Sequence, residues 1–175
     1  MDAFPAPWRD RALAHYLRAL VAHQRQDHDA AIRHLEHVLR ADPQQRQALL
    51  LHGASSYAKG DYQLADDLLS RLTAQPGVPD GAVKLLGAAR LKLGRPVQAI
   101  ELLEPAAARF PDDAQLLALL GTAHLQAGDA GRGVELLGRA VEIDPDEAAL
   151  RTQLALGRLA AGDASGAASD LQTAV

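Results

Sequence analysis

The stretch GTAHLQAGDAGRGVELLGRAVEIDP, residues 121–145, contains a small set of marks that recur along the chain at a single spacing. Gly121 has Gly87 and Gly53 at successive steps of 34 residues towards the N-terminus, then Ala19, with Ala155 one step the other way. Gly133 belongs to the series Ala31, Ala65, Ala99, Gly133 and Ala167, and Leu137 to Leu35, Leu69, Leu103, Leu137 and Leu171. Gly128 belongs to Gly60, Gly94, Gly128 and Gly162. Ladders that share one step without an insertion define an internal repeat, and the repeat governs the fold.

Each mark has a physical task. In Gly60-Asp61, Gly128-Asp129 and Gly162-Asp163 the glycine takes the left-handed position that ends one helix. The aspartate then accepts hydrogen bonds from the free N–H groups of the next helix. Gly94-Arg95-Pro96 does the same with proline at the first helical position. Asp42-Pro43 and Asp144-Pro145 end the second helix of a unit, because proline cannot continue it. Small residues on the Gly53 and Ala65 ladders let the two helices approach, where bulky side chains would wedge them apart. Ten helices are expected, and no stretch alternates as a strand does.

This unit resembles the tetratricopeptide repeat (TPR) family, whose repeat is a pair of antiparallel helices. The residues that carry the likeness are the small, leucine and glycine ladders and the closing prolines Pro43, Pro111 and Pro145, with Pro76 one place early. The resemblance implies an all-α, right-handed superhelical solenoid of five repeats. A lead-in covers 1–11 and the repeats lie near 12–45, 46–79, 80–113, 114–147 and 148–175, the last one truncated. His15 and Arg151 depart from the pattern, standing where it has a large aromatic or apolar residue.

Three irregularities carry expectations. Pro105 removes the hydrogen bond to Glu101 and should bend its helix. Gly131, Gly133 and Gly138 crowd the helix 129–141, each costing roughly 0.5–1 kcal/mol relative to alanine, which makes it the softest interior helix. The joint Gln75-Pro76-Gly77-Val78-Pro79 is the least regular connection. At the C-terminal end Leu171, Ala174 and Val175 should present an uncovered stripe, either the cut face of a longer array or a self-association surface.

Composition narrows the function. Of the residues 48% are apolar and only 3% aromatic, a balance that suits close-packed helices. A net charge of −4 has the wrong sign for binding nucleic acid through its phosphates. No apolar run is long enough to insert in a membrane, and residues 1–10 lack the apolar core of a signal peptide. There is no cysteine for a disulfide or thiolate site.

Catalytic and metal chemistry finds no constellation. His34 and His37 sit three apart, but helical spacing closes no ligand set around them with Glu36 or Asp29, so all seven histidines read as solvated surface residues and no metal or cofactor is expected. Gly131-Arg132-Gly133 with Gly138 follows no strand and has the wrong spacing for a dinucleotide loop. Ser55-Ser56 lacks the glycine of a nucleophile elbow. The pairs Asp66-Asp67 and Asp112-Asp113 read as helix starts or exposed faces. An enzyme is not expected.

What remains is a binding groove. In the TPR family the first helix of each unit lines the inner face. Carried over, the resemblance assigns Tyr16, Leu20, His23 and Gln24, then Leu50 and Tyr57, then Lys84, Leu91 and Lys92, then Thr122, Leu125 and Gln126. It excludes the family's carboxylate clamp, which pairs lysines with asparagines, since this chain has no asparagine. The expected partner is an extended or helical segment of another protein, gripped by Tyr16 and Tyr57. The competing reading packs both tyrosines between neighbouring helices.

The phrases Tyr16-Leu17-Arg18-Ala19-Leu20, Arg90-Leu91-Lys92-Leu93-Gly94-Arg95-Pro96, Ala99-Ile100-Glu101-Leu102-Leu103-Glu104-Pro105 and Leu150-Arg151-Thr152-Gln153-Leu154-Ala155 are also similar to the TPR lipoproteins of bacterial PEP-CTERM/exosortase systems. That resemblance implies a periplasmic scaffold in exopolysaccharide assembly. The alternative is a structural array that oligomerises through uncapped ends.

Overall fold

The computed structural model describes residues 6–173, which form ten α-helices and no strand. These are α1 (Ala6–Gln24), α2 (His28–Ala41), α3 (Arg46–Lys59), α4 (Tyr62–Thr73), α5 (Asp80–Lys92), α6 (Pro96–Arg109), α7 (Ala114–Gln126), α8 (Ala130–Ile143), α9 (Ala148–Ala160) and α10 (Ala164–Thr173). Two compact units, 1–89 and 90–175, divide the chain within α5. α1 starts at Ala6, inside the stretch read from the sequence as a lead-in. Ala174 and Val175, the tail of the expected C-terminal stripe, lie outside the described residues.

The helix ends follow from local chemistry. Gly60 (φ 89°), Gly94 (φ 68°), Gly128 (φ 90°) and Gly162 (φ 85°) all take the left-handed conformation. Asp61 caps α4 by accepting from Leu64 N–H at 3.1 Å, and Asp129 caps α8 by accepting from Arg132 N–H at 3.0 Å. One step before Gly60 the ladder reaches Gln26, which is forced into the same region at φ 61°. It is the one non-glycine residue there among those described, and its Cβ makes the position strained. α6 runs through Pro105 to Arg109, so the proline interrupts the hydrogen-bond ladder without ending the helix. The irregular joint after α4 is tied down by Arg46, whose guanidinium donates to the carbonyls of Pro76 (2.6 Å) and Gly77.

In the first unit Ala19, Leu35, Val38 and Ala48 form a core cluster, with Tyr16, Leu39 and Leu51 packed on its edge. A Cβ on Gly53 would stand 2.7 Å from Leu69 Cγ, so α3 and α4 meet leucine into glycine. In the second unit the approach is closer still. A Cβ on Gly121 would lie 3.0 Å from the carbonyl oxygen of Gly133, and one on Gly133 would lie 3.0 Å from that of Gly121. The backbones of α7 and α8 therefore touch, with Leu125 laid over Gly133. This sharpens the expectation of a soft α8. Gly133 is a packing requirement, whereas a Cβ on Gly138 would meet nothing within 4 Å.

The leucine ladder records where repeats are covered. Leu35, Leu69, Leu103 and Leu137 are all 0% exposed, and Leu171 is 44% exposed. Burying a leucine contributes roughly 1.5–3 kcal/mol, so the first four rungs are major stabilising contacts and the fifth is not.

Candidate functional site

The residues assigned to the inner face divide between the two units. In the first, Tyr16 is half-buried against the core cluster of Ala19 and Leu35, which favours the packing role over that of a free anchor. Leu20 and Leu50 are half-buried, and Gln24 is exposed at the end of α1. His23 Nδ1 lies 2.9 Å from Ser55 Oγ, which itself donates to the Leu51 carbonyl at 2.8 Å. A hydroxyl has one proton, so the imidazole N–H must be the donor to Ser55, which fixes the tautomer. Tyr57 is half-buried with its ring edge-on to Tyr62, centroids 5.3 Å apart. Burial, then Tyr62, raises the Tyr57 phenol above its ordinary range, so it stays a neutral donor at any physiological pH. Lys84 is half-buried on α5.

In the second unit the assigned residues do other work. Leu91 is only 8% exposed and offers a partner little surface. Leu125 is spent on packing, since a Cβ on Gly157 would also stand 3.1 Å from its Cδ1. Thr122 Oγ1 donates to Gln153 Oε1 at 3.5 Å, joining α7 to α9. Lys92 and Gln126 are exposed. Of the assigned residues, those of the first unit keep partly open side chains, Tyr57 among them.

Several polar groups were misplaced by the sequence reading. His52 is 4% exposed and neither ring nitrogen has a hydrogen-bond partner, so it is a core residue and not a solvated one. Burial holds its pKa below the ordinary 6.5. Asp66 is buried as well, while Asp113 does cap α7 as expected, accepting from Leu116 N–H at 2.9 Å. The 34-residue step carries the missing signal. His52 aligns with Leu86, Leu120 and Leu154, all buried, and Asp66 with Ile32, Ile100 and Val134.

His34 and His37, paired in the sequence, are joined by His15 from α1. His15 Nδ1 lies 3.1 Å from His34 Nδ1, and the His15 ring stacks on His37 at 4.4 Å. Burial, then His37 and His34, lowers the His15 pKa; burial, then Arg18, lowers that of His34. These rings sit among Arg11, Arg18 and Arg33, and Arg40 Nη2 lies 3.2 Å from His37 Nδ1. Among the described residues no group of three histidine or acidic side chains is arranged to hold a metal ion, and no helix is long and apolar enough to cross a membrane.

Stacked helix pairs on a fixed step, joined glycine to aspartate, define a helical-repeat protein. Tetratricopeptide-repeat sequence profiles match residues 3–45, 16–79 and 90–157, and the chain belongs to the tetratricopeptide repeat family. Among solved structures it is similar to MamA (residues 41 to the end) from Desulfovibrio magneticus RS-1, with 25% identity, a TM-score of 0.85, and coverage of 94% of this chain and 93% of that one. YrrB, described as a TPR protein with an unusual peptide-binding site, shares the fold at 17% identity, TM-score 0.77, covering 95% of this chain and 86% of that one. A thermophilic TPR protein from Thermus thermophilus, TTC0263, does so at 21% identity, TM-score 0.73, covering 93% and 89%. No curated protein sequence matches the chain.

Proposed function

We propose that this chain is a non-catalytic scaffold that holds an extended or helical segment of a partner protein on the inner faces of α1, α3 and the start of α5. The observation that carries the reading is Tyr57, braced edge-on by Tyr62 and still partly open. A rigid aromatic body with a polar tip makes a strong contact at little cost in side-chain entropy. By helical spacing Leu20, His23 and Gln24 share one face of α1, and Leu50 shares one face of α3 with Tyr57. That YrrB has a peptide-binding site supports a peptide ligand here. The setting we infer is a bacterial envelope assembly for exopolysaccharide, in the periplasm, on the resemblance carried by the phrases beginning at Tyr16, Arg90, Ala99 and Leu150.

The test uses peptides selected from a random library against the purified wild-type chain. Tyr57→Ala should weaken their binding by at least about tenfold with the helical signal unchanged, as expected for a hot spot. Unchanged affinity contradicts the groove reading. A second reading, self-assembly through the ends, is favoured by Leu171, the one rung of its ladder left open.

A further inference from the structure

The two ends of the chain carry matching apolar faces. On α1, Leu13, Leu17 and Val21 follow one another every fourth residue, all about half exposed, and Leu17, Arg18, Val21, Ala22 and Arg25 line an open depression. At the other end Leu156, Leu159 and Leu171 are exposed on α9 and α10. Apolar side chains of this size in contiguous rows mark a contact surface.

The internal joint of the second unit shows what such faces meet. There Thr122 touches Gln153, and Leu125, Val134 and Leu137 close over Gly157, lying 3.1, 3.3 and 3.4 Å from where its Cβ would be. Advance that joint by one 34-residue step and continue onto the first repeat of a second copy. Thr122 and Gln153 become Leu156 and Leu17, so a polar pair turns apolar on both sides at once. Gly157 becomes Val21, while Val134 becomes Ala168, so the bulk gained on one side is removed from the other. Leu125 and Leu137 become Leu159 and Leu171. The same relation recurs in the first unit, where His23, the counterpart of Leu159, reaches Ser55, the counterpart of Val21. Charge agrees with shape. Residues 142–173 hold Glu142, Asp144, Asp146, Glu147, Asp163 and Asp170 against Arg151 and Arg158, and residues 6–27 hold Arg9, Arg11, Arg18 and Arg25 against Asp10 and Asp27.

We propose that copies of this chain associate head to tail. The α9–α10 face of one copy seats on the Leu17–Val21 face of α1 of the next, in the register of the internal α8–α9 joint. The occupant is a second copy because the paired substitutions complement each other across the two ends of one sequence. This deepens the self-assembly reading, on which it rests, and is independent of the groove. The contact is heterologous, so it builds assemblies larger than a dimer as concentration rises.

Sedimentation velocity on the wild-type chain and on Leu17→Asp and Leu156→Asp tests this. Both sites are exposed, and an unchanged circular dichroism spectrum confirms folding. The wild type should pass beyond dimer as concentration rises. Each variant alone should associate at least about tenfold more weakly, since a carboxylate must be desolvated at the contact. An equimolar mixture should form a one-to-one pair and stop there, because each variant keeps the face that the other has lost. A wild type that stays monomeric overturns both the register and the self-assembly reading, leaving the faces to a foreign helix. Association that survives Leu17→Asp, or a mixture that does not pair, overturns the head-to-tail register and leaves self-assembly through another surface. None of these outcomes bears on peptide binding by Tyr57.

Discussion

The hairpins α1–α2 and α7–α8 are built on the same repeat and closed in opposite ways. In α7–α8 the backbones touch at Gly121 and Gly133, an aspartate caps the turn after a left-handed glycine, and Leu117 and Leu136 are buried. In α1–α2 the counterparts of Leu117 and Leu136 are His15 and His34, and the glycine of the turn is Gln26. The interior hairpin is therefore closed by glycine contact and leucine packing, with His124 Nδ1 3.5 Å from Asp129 Oδ2 at its turn. The outer one closes over Ala19, Leu35 and Val38, but sets His15 against His34 where the interior hairpin has leucines. Stability within one repeat family is thus graded by which residues occupy shared positions, with the helices themselves unchanged.

The contrast can be broken at several points. Gly133→Ala should be the most damaging, since its Cβ would stand 2.5 Å from Leu125 Cδ2 and 3.0 Å from a backbone oxygen that cannot yield. A loss of about 1–3 kcal/mol is expected in denaturant titration, the usual scale of overpacking. The double change His15→Leu with His34→Leu restores the interior pairing and should raise stability by about 1–2 kcal/mol, less than full burial because the site is half open. It should also flatten the pH dependence. The pKa values of His15, His34, His23 and His52 are lowered in the fold below the ordinary 6.5. Their stabilising contribution is complete above that value and is lost as the pH falls through the lower folded values, because the unfolded chain takes up protons first. Thermal melts on the acid side of neutrality should show the wild type weakening more steeply than the double variant. Gln26→Gly relieves a left-handed residue and should stabilise by about 1 kcal/mol. Gly138→Ala, in open space inside α8, should add about 0.5–1 kcal/mol.

Much of this was legible in the sequence, for a physical reason. The 34-residue ladders of Gly53, Ala31, Leu35 and Gly60 mark positions where helix contact or a left-handed turn permits few residues, so they repeat. The ten helices and the caps Asp61 and Asp129 followed from them, whereas the caps Gln45 and Glu147 did not. Residue types misled where a polar side chain occupies a core position. His52 looked like surface, although Leu86, Leu120 and Leu154 at the same step are core. Asp66 misled in the same way. The candidate site was less legible because its positions differ from repeat to repeat, as Tyr16, Leu50, Lys84, Ala118 and Thr152 do, and because Leu91 and Leu125 pack inwards. His15 and His34 come from different helices, and their meeting is visible only once the hairpin closes.

Residue-resolved amide exchange, expressed as protection factors at about pH 7.5 and again at about pH 5.5, tests the contrast between the hairpins most directly. Protection should fall with acid further in α1, α2 and α3 than in α7 and α8. Equal loss in both regions, or none in α1–α3, would contradict that contrast.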